Sequence, residues 1–184
     1  MTRIQAVSVP GIPVLTTGDD VAVVIAPHLK ALEWPDGFVG MRGDDIVVVS
    51  GKIVAKAQGR WHKAGEAPDG FRTRVGIPDK LGLKAPDDAD AAAAEIRRGL
   101  AARFGGRPGV VISGSGAGRE PGRGVVDIAL GSAGLDVRSP NGDSIIDAIS
   151  ALAGVVSMGE QSSPVVVVRG VPDVMTWEDA AASR

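Results

Sequence analysis

The stretch Asp44–Ser50 reads DDIVVVS, and its unbroken apolar run is typical of a strand that is buried on both faces. Two more runs of the same kind occur further along the chain, Gly109–Ser113 (GVVIS) and Pro164–Arg169 (PVVVVR). Helical periodicity occurs at Val21–Leu32, before the first of these strands, and at Ala89–Phe104, between the first and the second. Because strands and helices alternate without a regular repeat, the sequence predicts a mixed α/β (α+β) fold.

The rest of the chain is predicted from the same patterns. Gly51–Ala57 is expected to continue the strand of Asp44–Ser50, whereas Trp61–Lys84 is polar and aperiodic and is expected to be a long loop. We therefore predict short strands, glycine-rich loops and three main helices in a single domain, residues 1–172, followed by a polar tail, residues 173–184. The other predicted elements are strands at Ile4–Val9, Thr73–Ile77 and Val125–Leu130, a loop at Gly114–Gly124, a turn at Gly131–Gly134, aspartates capping the Val21 helix, and a helix at Ser144–Val156 capped by Asp143 or Ser144.

The composition excludes several classes of protein. The chain has 184 residues with 20 basic and 22 acidic side chains, so no bulk positive charge holds it to nucleic acid or to a membrane surface. Cysteine is absent, which excludes disulfides and thiolate metal sites. The first ten residues lack the pattern of a signal peptide, and no apolar run is long enough to span a membrane. We expect a cytoplasmic protein that binds neither nucleic acid nor membranes.

The first candidate site is the segment Ser50–Lys56 at the end of the central strand. Ser50 supplies a hydroxyl, Gly51 a backbone without a side chain, and Lys52 and Lys56 two ammonium groups, all of which suit phosphate oxygens. The segment does not match a Walker A loop, which requires G-x-x-x-x-G-K-[ST] before a helix. A strand edge with solvated lysines accounts for the same residues equally well.

Two further segments carry chemistry-bearing residues. Ser113–Arg119, with Ser115 and the nearby Arg123, forms a glycine-rich loop whose amides and guanidinium groups suit an anion, although a plain flexible loop fits the pattern as well. Glu160 lies on a turn before the last strand, where a carboxylate acts either as a metal ligand or as solvated surface. The two histidines are far apart in the sequence and lack a carboxylate pattern, so we expect no catalytic triad.

Taken together, ordered segments of the chain resemble the coenzyme F420-0:L-glutamate ligases, the γ-glutamyl ligase family. The resemblance covers both ends of the chain and the strands between them. The segments that carry it are Val9–Pro13 (VPGIP), Gly43–Arg60 (GDDIVVVSGKIVAKAQGR), Val110–Ser113 (VVIS), Val126–Leu135 (VDIALGSAGL), Met158–Glu160 (MGE) and Pro164–Gly170 (PVVVVRG).

This resemblance implies the family's fold, a homodimer, and an activity that joins L-glutamate to coenzyme F420-0 with GTP and divalent ions, Mg²⁺ or Mn²⁺. The acceptor carboxylate becomes an acyl phosphate in such a reaction, and cations and amides neutralise the phosphoryl group in transfer. The resemblance implies a GTP site and a metal ligand, made by Gly11, Ile12, Pro13, Val14, Ser50, Gly51 and Lys56 for GTP and by Glu160 for metal. Asp79 is the candidate substitute for a second metal ligand, and the candidates for phosphate or substrate are Lys52, Ser115, Arg119 and Arg123.

The sequence also departs from the family pattern. Most of the family's segment after Arg60 is absent, and the Asp-Thr pair that binds metal in the family falls on Gly114-Ser115. The family's second metal aspartate falls beside Asp79. A glycine amide does not replace a carboxylate ligand. Two alternatives therefore stay open: a non-catalytic relative that binds a phosphorylated ligand or pairs with an active ligase subunit, and an amide ligase with a different acceptor.

Overall fold

The computed structural model describes residues 3–63, 81–115, 126–158 and 163–179. In these ranges a five-stranded sheet carries helices on both faces, as the α+β prediction requires. In chain order the elements are β1 (Gln5–Ser8), α1 (Val21–Lys30), β2 (Ile46–Ser50), α2 (Gly51–Ala57), β3 (Trp61–Lys63), β4 (Leu81–Leu83), α3 (Ala89–Phe104), β5 (Gly109–Ser115), β6 (Asp127–Ala133), α4 (Ile145–Ser157), β7 (Val165–Arg169) and a 3-10 helix (Pro172–Val174).

The three apolar runs of the sequence form the middle of the sheet. Its strand order is β1-β7-β2-β5-β6, and β2 runs parallel to β5 while every other neighbouring pair is antiparallel. The register places Ser50 opposite Ser113, so β2 and β5 end at the same edge of the sheet. The prediction of buried strands at these positions is confirmed.

Alternate residues of β2 enter two separate cores. Val47 and Val49 pack with α1, α2 and α3 on one face, whereas Ile46 and Val48 pack with α4 on the other. Each of these side chains is at most 2% exposed. Burial of an aliphatic side chain contributes roughly 1.5–3 kcal/mol, so the double burial of β2 is a large part of the driving force for this fold.

Helix α2 corrects the prediction that Gly51–Ala57 continues the central strand. The chain turns at Ser50, whose Oγ accepts a hydrogen bond from the Lys52 amide at 3.4 Å and so caps the helix. Ile53 and Val54 then pack into the core that contains α1 and α3. Their β-branched side chains suggested a strand, but tertiary packing overrides that weak local preference. The described part of the chain therefore has four α-helices instead of three.

Strand β6 corrects the prediction of a turn at Gly131–Gly134. Its residues up to Ala133 pair with β5, and the register shifts between Ile112 and Ser113 at a β-bulge. Gly131 is required there for space, because a Cβ atom would lie 2.3 Å from the backbone carbonyl carbon of Ala89 at the start of α3. The glycine therefore marks a close approach of helix to strand and not a turn.

The other boundaries differ less from the predictions. Asp20 caps α1 through the Val23 amide at 3.1 Å, and Ser144 caps α4 through the Asp147 amide at 3.3 Å. Gly114 and Ser115 extend β5 and do not begin a loop. The remainder of the Trp61–Lys84 prediction, including the strand at Thr73–Ile77, falls mostly on residues outside the described ranges, but two short strands pair at its ends. No helix in the described ranges is both long and apolar enough to cross a membrane.

Residues after β7 pack onto the domain. Val174 and Met175 contact the core that contains α4. The buried guanidinium of Arg97, on α3, donates to the carbonyl oxygen of Thr176 at 3.3 Å and pairs with the carboxylate of Asp179. The segment after the 3-10 helix is thereby attached to α3.

A buried ion pair joins the beginning of β2 to the end of β7. The Asp45 carboxylate is fully buried and accepts two hydrogen bonds of 2.7 Å from the Arg169 guanidinium and one of 2.6 Å from the Arg42 amide. The guanidinium also lies 3.6 Å from the centre of the Trp34 ring. Such a pair constrains register strongly, because either ion without its partner would be an uncompensated buried charge.

We predict that Asp45→Leu lowers the free energy of unfolding by about 3–5 kcal/mol, since it leaves the Arg169 guanidinium buried and unpaired. Urea denaturation measures the loss. The double variant Asp45→Leu/Arg169→Met should lose less than the sum of the two single variants, and Asp44→Leu, at the exposed neighbouring position, serves as the control. An unfolding midpoint of Asp45→Leu equal to that of the wild type would contradict the prediction.

Candidate functional site

A cavity of about 410 Å³ lies where the parallel strands β2 and β5 end. Open α/β sheets bind ligands at this edge because the loops that follow parallel strands diverge there. Ser50 and Ser113, which are paired in the sheet, form its base, and Pro164 borders it at the start of β7. The Ser50 amide donates to the Pro164 carbonyl oxygen at 2.8 Å, which fixes this border.

The cavity brings together most of the residues implied for nucleotide binding. Ile12, Pro13 and Val14 line it from the segment after β1, and Ser50 and Lys56 line it from β2 and α2. Lys52, predicted for phosphate or substrate, is also in its wall. These two segments lie far apart in the sequence, so their convergence is a result of the fold.

Gly11 and Gly51 are placed differently from the other implied nucleotide residues. Neither of them lines the cavity. Gly11 has φ = 76°, a left-handed conformation that favours glycine, and a Cβ atom there would lie 3.4 Å from Nδ1 of His28. Gly51 is buried as the first residue of α2. Both glycines set the backbone conformation of segments whose neighbouring residues line the cavity.

The segment containing Ile12 is held to the sheet on its N-terminal side. The Val9 amide donates to the Val165 carbonyl oxygen at 2.9 Å, and the Ser163 hydroxyl donates to the Val9 carbonyl oxygen. Leu15, just beyond the segment, is buried in the core. The apolar wall of the cavity therefore lies between two residues that are anchored in the fold.

Lys56 is the most unusual side chain of the cavity. It is only 7% exposed, and its ammonium group has no hydrogen-bond or ion-pair partner among the residues of the described ranges. Burial lowers the pKa of Lys56, and the positive charge of Lys52 one helical turn away lowers this pKa further. An ammonium group held in this way is stabilised by any anion that enters the cavity.

Several residues of the cavity were not expected from the sequence. Asp127 begins β6, opposite Ser115 of β5, and its carboxyl group lies beside Gly154 of α4. Ser157, at the end of α4, adds a hydroxyl. Asp127 belongs to a segment that carries the resemblance, but only the register of β5 with β6 brings it to the cavity.

The remaining site predictions are not tested by the geometry. Asp79, Arg119, Arg123 and Glu160 fall outside the described residues, and of Ser115 only the backbone position in β5 is described. Within the described ranges no three His, Asp or Glu side chains lie close enough together to hold a metal ion. Metal binding at Asp79 and Glu160 therefore stays a prediction.

The described walls define what the cavity can bind. Two ammonium groups and two serine hydroxyls provide donors for an anionic oxygen, since the hydroxyls of Ser157 and Ser163 already donate to backbone carbonyl oxygens. The lysines have no carboxylate beside them on α2. Apolar side chains face them from the sheet and from α4, among them Val48, Ala153 and Val166. This combination suits a ligand with a phosphate or carboxylate group and an apolar or ring portion.

Comparison with known proteins gives two results. The model of the family described as F420-0:Gamma-glutamyl ligase matches residues 70–170, which are 101 of the 184 residues. Nine curated proteins also match. One of them is the coenzyme F420:L-glutamate ligase of Halorubrum lacusprofundi (strain ATCC 49239 / DSM 5036 / JCM 8891 / ACAM 34), which is 32% identical over 83 residues.

The extent of these matches is limited. The alignment covers 45% of this chain and 29% of the Halorubrum protein, so the chain spans less than a third of that relative's length. The family match includes the cavity wall from Ser113 to Val166. The walls formed by Ile12–Val14 and by Ser50–Lys56 lie outside residues 70–170.

We predict that Lys56→Met raises the free energy of unfolding at pH 7 in the absence of ligand, because methionine keeps the apolar stem and removes a charge that the folded state partly desolvates. The folded state lowers the pKa of Lys56, so above that lowered pKa the unfolded chain holds the proton more tightly. Wild-type stability therefore rises with pH between the lowered pKa and the ordinary value, and the advantage of the variant shrinks there.

Urea denaturation at neutral and alkaline pH tests this prediction. Lys84→Met, at an exposed position, is the matched control and should leave the midpoint unchanged at both pH values. A Lys56→Met variant that is less stable than the wild type at pH 7 would show that the ammonium group has a stabilising partner.

Proposed function

The chain belongs to the F420-0:gamma-glutamyl ligase family, and from that premise we propose that it joins L-glutamate to coenzyme F420-0 through an amide bond, at the expense of GTP. The observation that carries the proposal is the convergence of Ile12–Val14, Ser50 and Lys56 on one cavity. A ligase of this kind needs a site where the phosphate, the acceptor carboxylate and the amine meet. The cavity supplies hydrogen-bond donors for the anionic groups and apolar walls for the rest of the substrates.

The proposed chemistry has two steps. An oxygen of the acceptor carboxylate attacks the γ-phosphorus of GTP, so that an acyl phosphate forms and GDP leaves. The neutral amine of glutamate then attacks the acyl carbon, the bond from that carbon to the phosphate oxygen breaks, and phosphate departs with the proton from nitrogen. Lys52 and Lys56 neutralise the charge on the phosphoryl oxygens in both steps.

We further propose that a divalent ion, Mg²⁺ or Mn²⁺, is held by Glu160, as the resemblance implies, together with Asp79. Such an ion supplies additional neutralisation of phosphate charge when it is bound. The described residues that line the cavity contribute one carboxylate, that of Asp127, and two cations, the ammonium groups of Lys52 and Lys56. We also propose a homodimer in the cytoplasm, as the resemblance and the small-molecule substrates imply.

One observation favours a second candidate function. Gly114 lines the cavity at the position where the resemblance implies a metal-binding aspartate. A chain that has lost this ligand binds a phosphorylated compound without turning it over, or pairs with an active ligase subunit. The lysines of the cavity serve this binding function as well as they serve catalysis.

We expect GTP to bind the wild-type protein in a calorimetric titration, and more tightly with Mg²⁺ or Mn²⁺ than without. Lys56→Met should weaken GTP binding by roughly tenfold or more, since a charge-assisted contact to phosphate is lost. Lys84→Met should bind GTP like the wild type. Absence of GTP binding to the wild type would reject the ligase function.

A second measurement separates the two candidate functions. Phosphate release is followed after L-glutamate and coenzyme F420-0 are added to the protein with GTP and Mg²⁺ or Mn²⁺. Release that requires both substrates identifies the ligase, whereas GTP binding without release identifies the non-catalytic relative. Phosphate release with another acceptor only would assign the amide-ligase activity to that acceptor.

A further inference from the structure

Charge is divided between two walls of the cavity. Lys52 and Lys56 project from α2, which packs on the face of the sheet with α1 and α3. Asp127 lies at the start of the edge strand β6, beside α4, which packs on the opposite face. The cavity is therefore polarised, with ammonium groups at one wall and a carboxylate at the other.

The position of Asp127 is fixed by its surroundings. It pairs in register with Ser115 at the end of β5, and two residues later the Ala129 amide donates to the Asp147 carboxylate of α4 at 2.8 Å. One oxygen of Asp127 lies 3.3 Å from the place that a Cβ atom would occupy on Gly154. Glycine at this position allows the carboxylate to approach α4 at the cavity wall.

We propose that Asp127 binds the α-ammonium group of the amino acid substrate. Among the described residues that line the cavity, Asp127 carries the one acidic side chain, so it is the group there that attracts a cation. The carboxylates of the same amino acid are attracted to the wall that carries Lys52 and Lys56, which we call the lysine wall. The amino acid thus lies across the cavity in a single orientation, with its nitrogen toward β6 and α4.

This inference rests on the proposed function, because it requires an amino acid as substrate. It also predicts that the cavity prefers a ligand with an amine over one without, which the two lysines alone do not explain. A dicarboxylate without an amine satisfies the lysine wall but is repelled by Asp127, whereas a zwitterionic amino acid satisfies both walls. Asp127 is on this account a specificity-determining residue, and its effect is on the recognition of the amine.

The orientation also has a role in the transfer step. The ammonium group first loses a proton to solvent, and the resulting amine attacks the acyl carbon while the bond to the phosphate oxygen breaks. An amine held at one wall approaches an acyl phosphate held by the lysines at the other. Asp127 positions the nitrogen for this attack.

The test compares L-glutamate with glutarate, which has the same carbon chain and carboxylates but no amine. Calorimetric titrations in the presence of GDP and Mg²⁺ give the dissociation constant of each ligand for the wild type and for Asp127→Asn. We expect the ratio of the glutarate constant to the glutamate constant to fall by roughly tenfold in the variant. Glutamate loses an ionic contact in Asp127→Asn, and glutarate loses a repulsion.

Three controls make the result decisive. Asp173→Asn, at an exposed position outside the cavity, should leave the ratio unchanged. Asp127→Ser provides a second neutral variant in case Asp127→Asn does not fold, which thermal unfolding establishes. GTP titrations of the same proteins should give wild-type affinity for both Asp127 variants, since the lysine wall is intact.

The outcomes distinguish the proposed role of Asp127 from the proposed ligase function. A ratio that is the same in the wild type and the Asp127 variants, or wild-type protein that binds neither glutamate nor glutarate, overturns the role of Asp127. Wild-type protein that fails to bind GTP overturns the proposed function instead. A wild type that binds GTP and releases phosphate, together with an unchanged ratio, retains the ligase and rejects Asp127 alone.

Discussion

The double burial of β2 is the constraint on which the rest of the structure depends. Its side chains alternate between two cores, so a register slip of one residue would exchange Val47 and Val49 with Ile46 and Val48 and mismatch both cores. The ion pair between Asp45 and Arg169 reinforces that register at one end of the strand. At the other end the same register sets Ser50 against Ser113, and this pairing creates the base of the cavity.

The parts of the fold that the sequence predicted correctly are those with strong local signals. Ala89–Phe104 was predicted to the residue, because its alanine-rich periodic pattern follows a capping aspartate and ends before two glycines. The apolar strands were found because short continuous runs of the β-branched residues Val and Ile favour buried strands. Helix α2 was missed because its own residues favour strand, and only its packing in the core makes it helical.

The candidate site was predictable to the extent that its residues are neighbours in the sequence. Ser50, Lys52 and Lys56 share one short segment, and their residue types alone suggest an anion site. Asp127 had no such signal, since its place in the cavity depends on the pairing of β5 with β6 and on the small volume of Gly154. The sequence therefore indicated the cationic wall, and the fold revealed the acidic group that faces it.

The pairing of β1 with β7 has a consequence for folding during synthesis on the ribosome. Gln5 lies opposite Arg169, so all of the chain between β1 and β7 must leave the ribosome before β1 finds this neighbour. Until then one long edge of β2 is unpaired as well, because β7 occupies it in the finished sheet. Formation of this sheet is thus tied to the synthesis of β7, a topology that favours slow folding and a need for protection during synthesis.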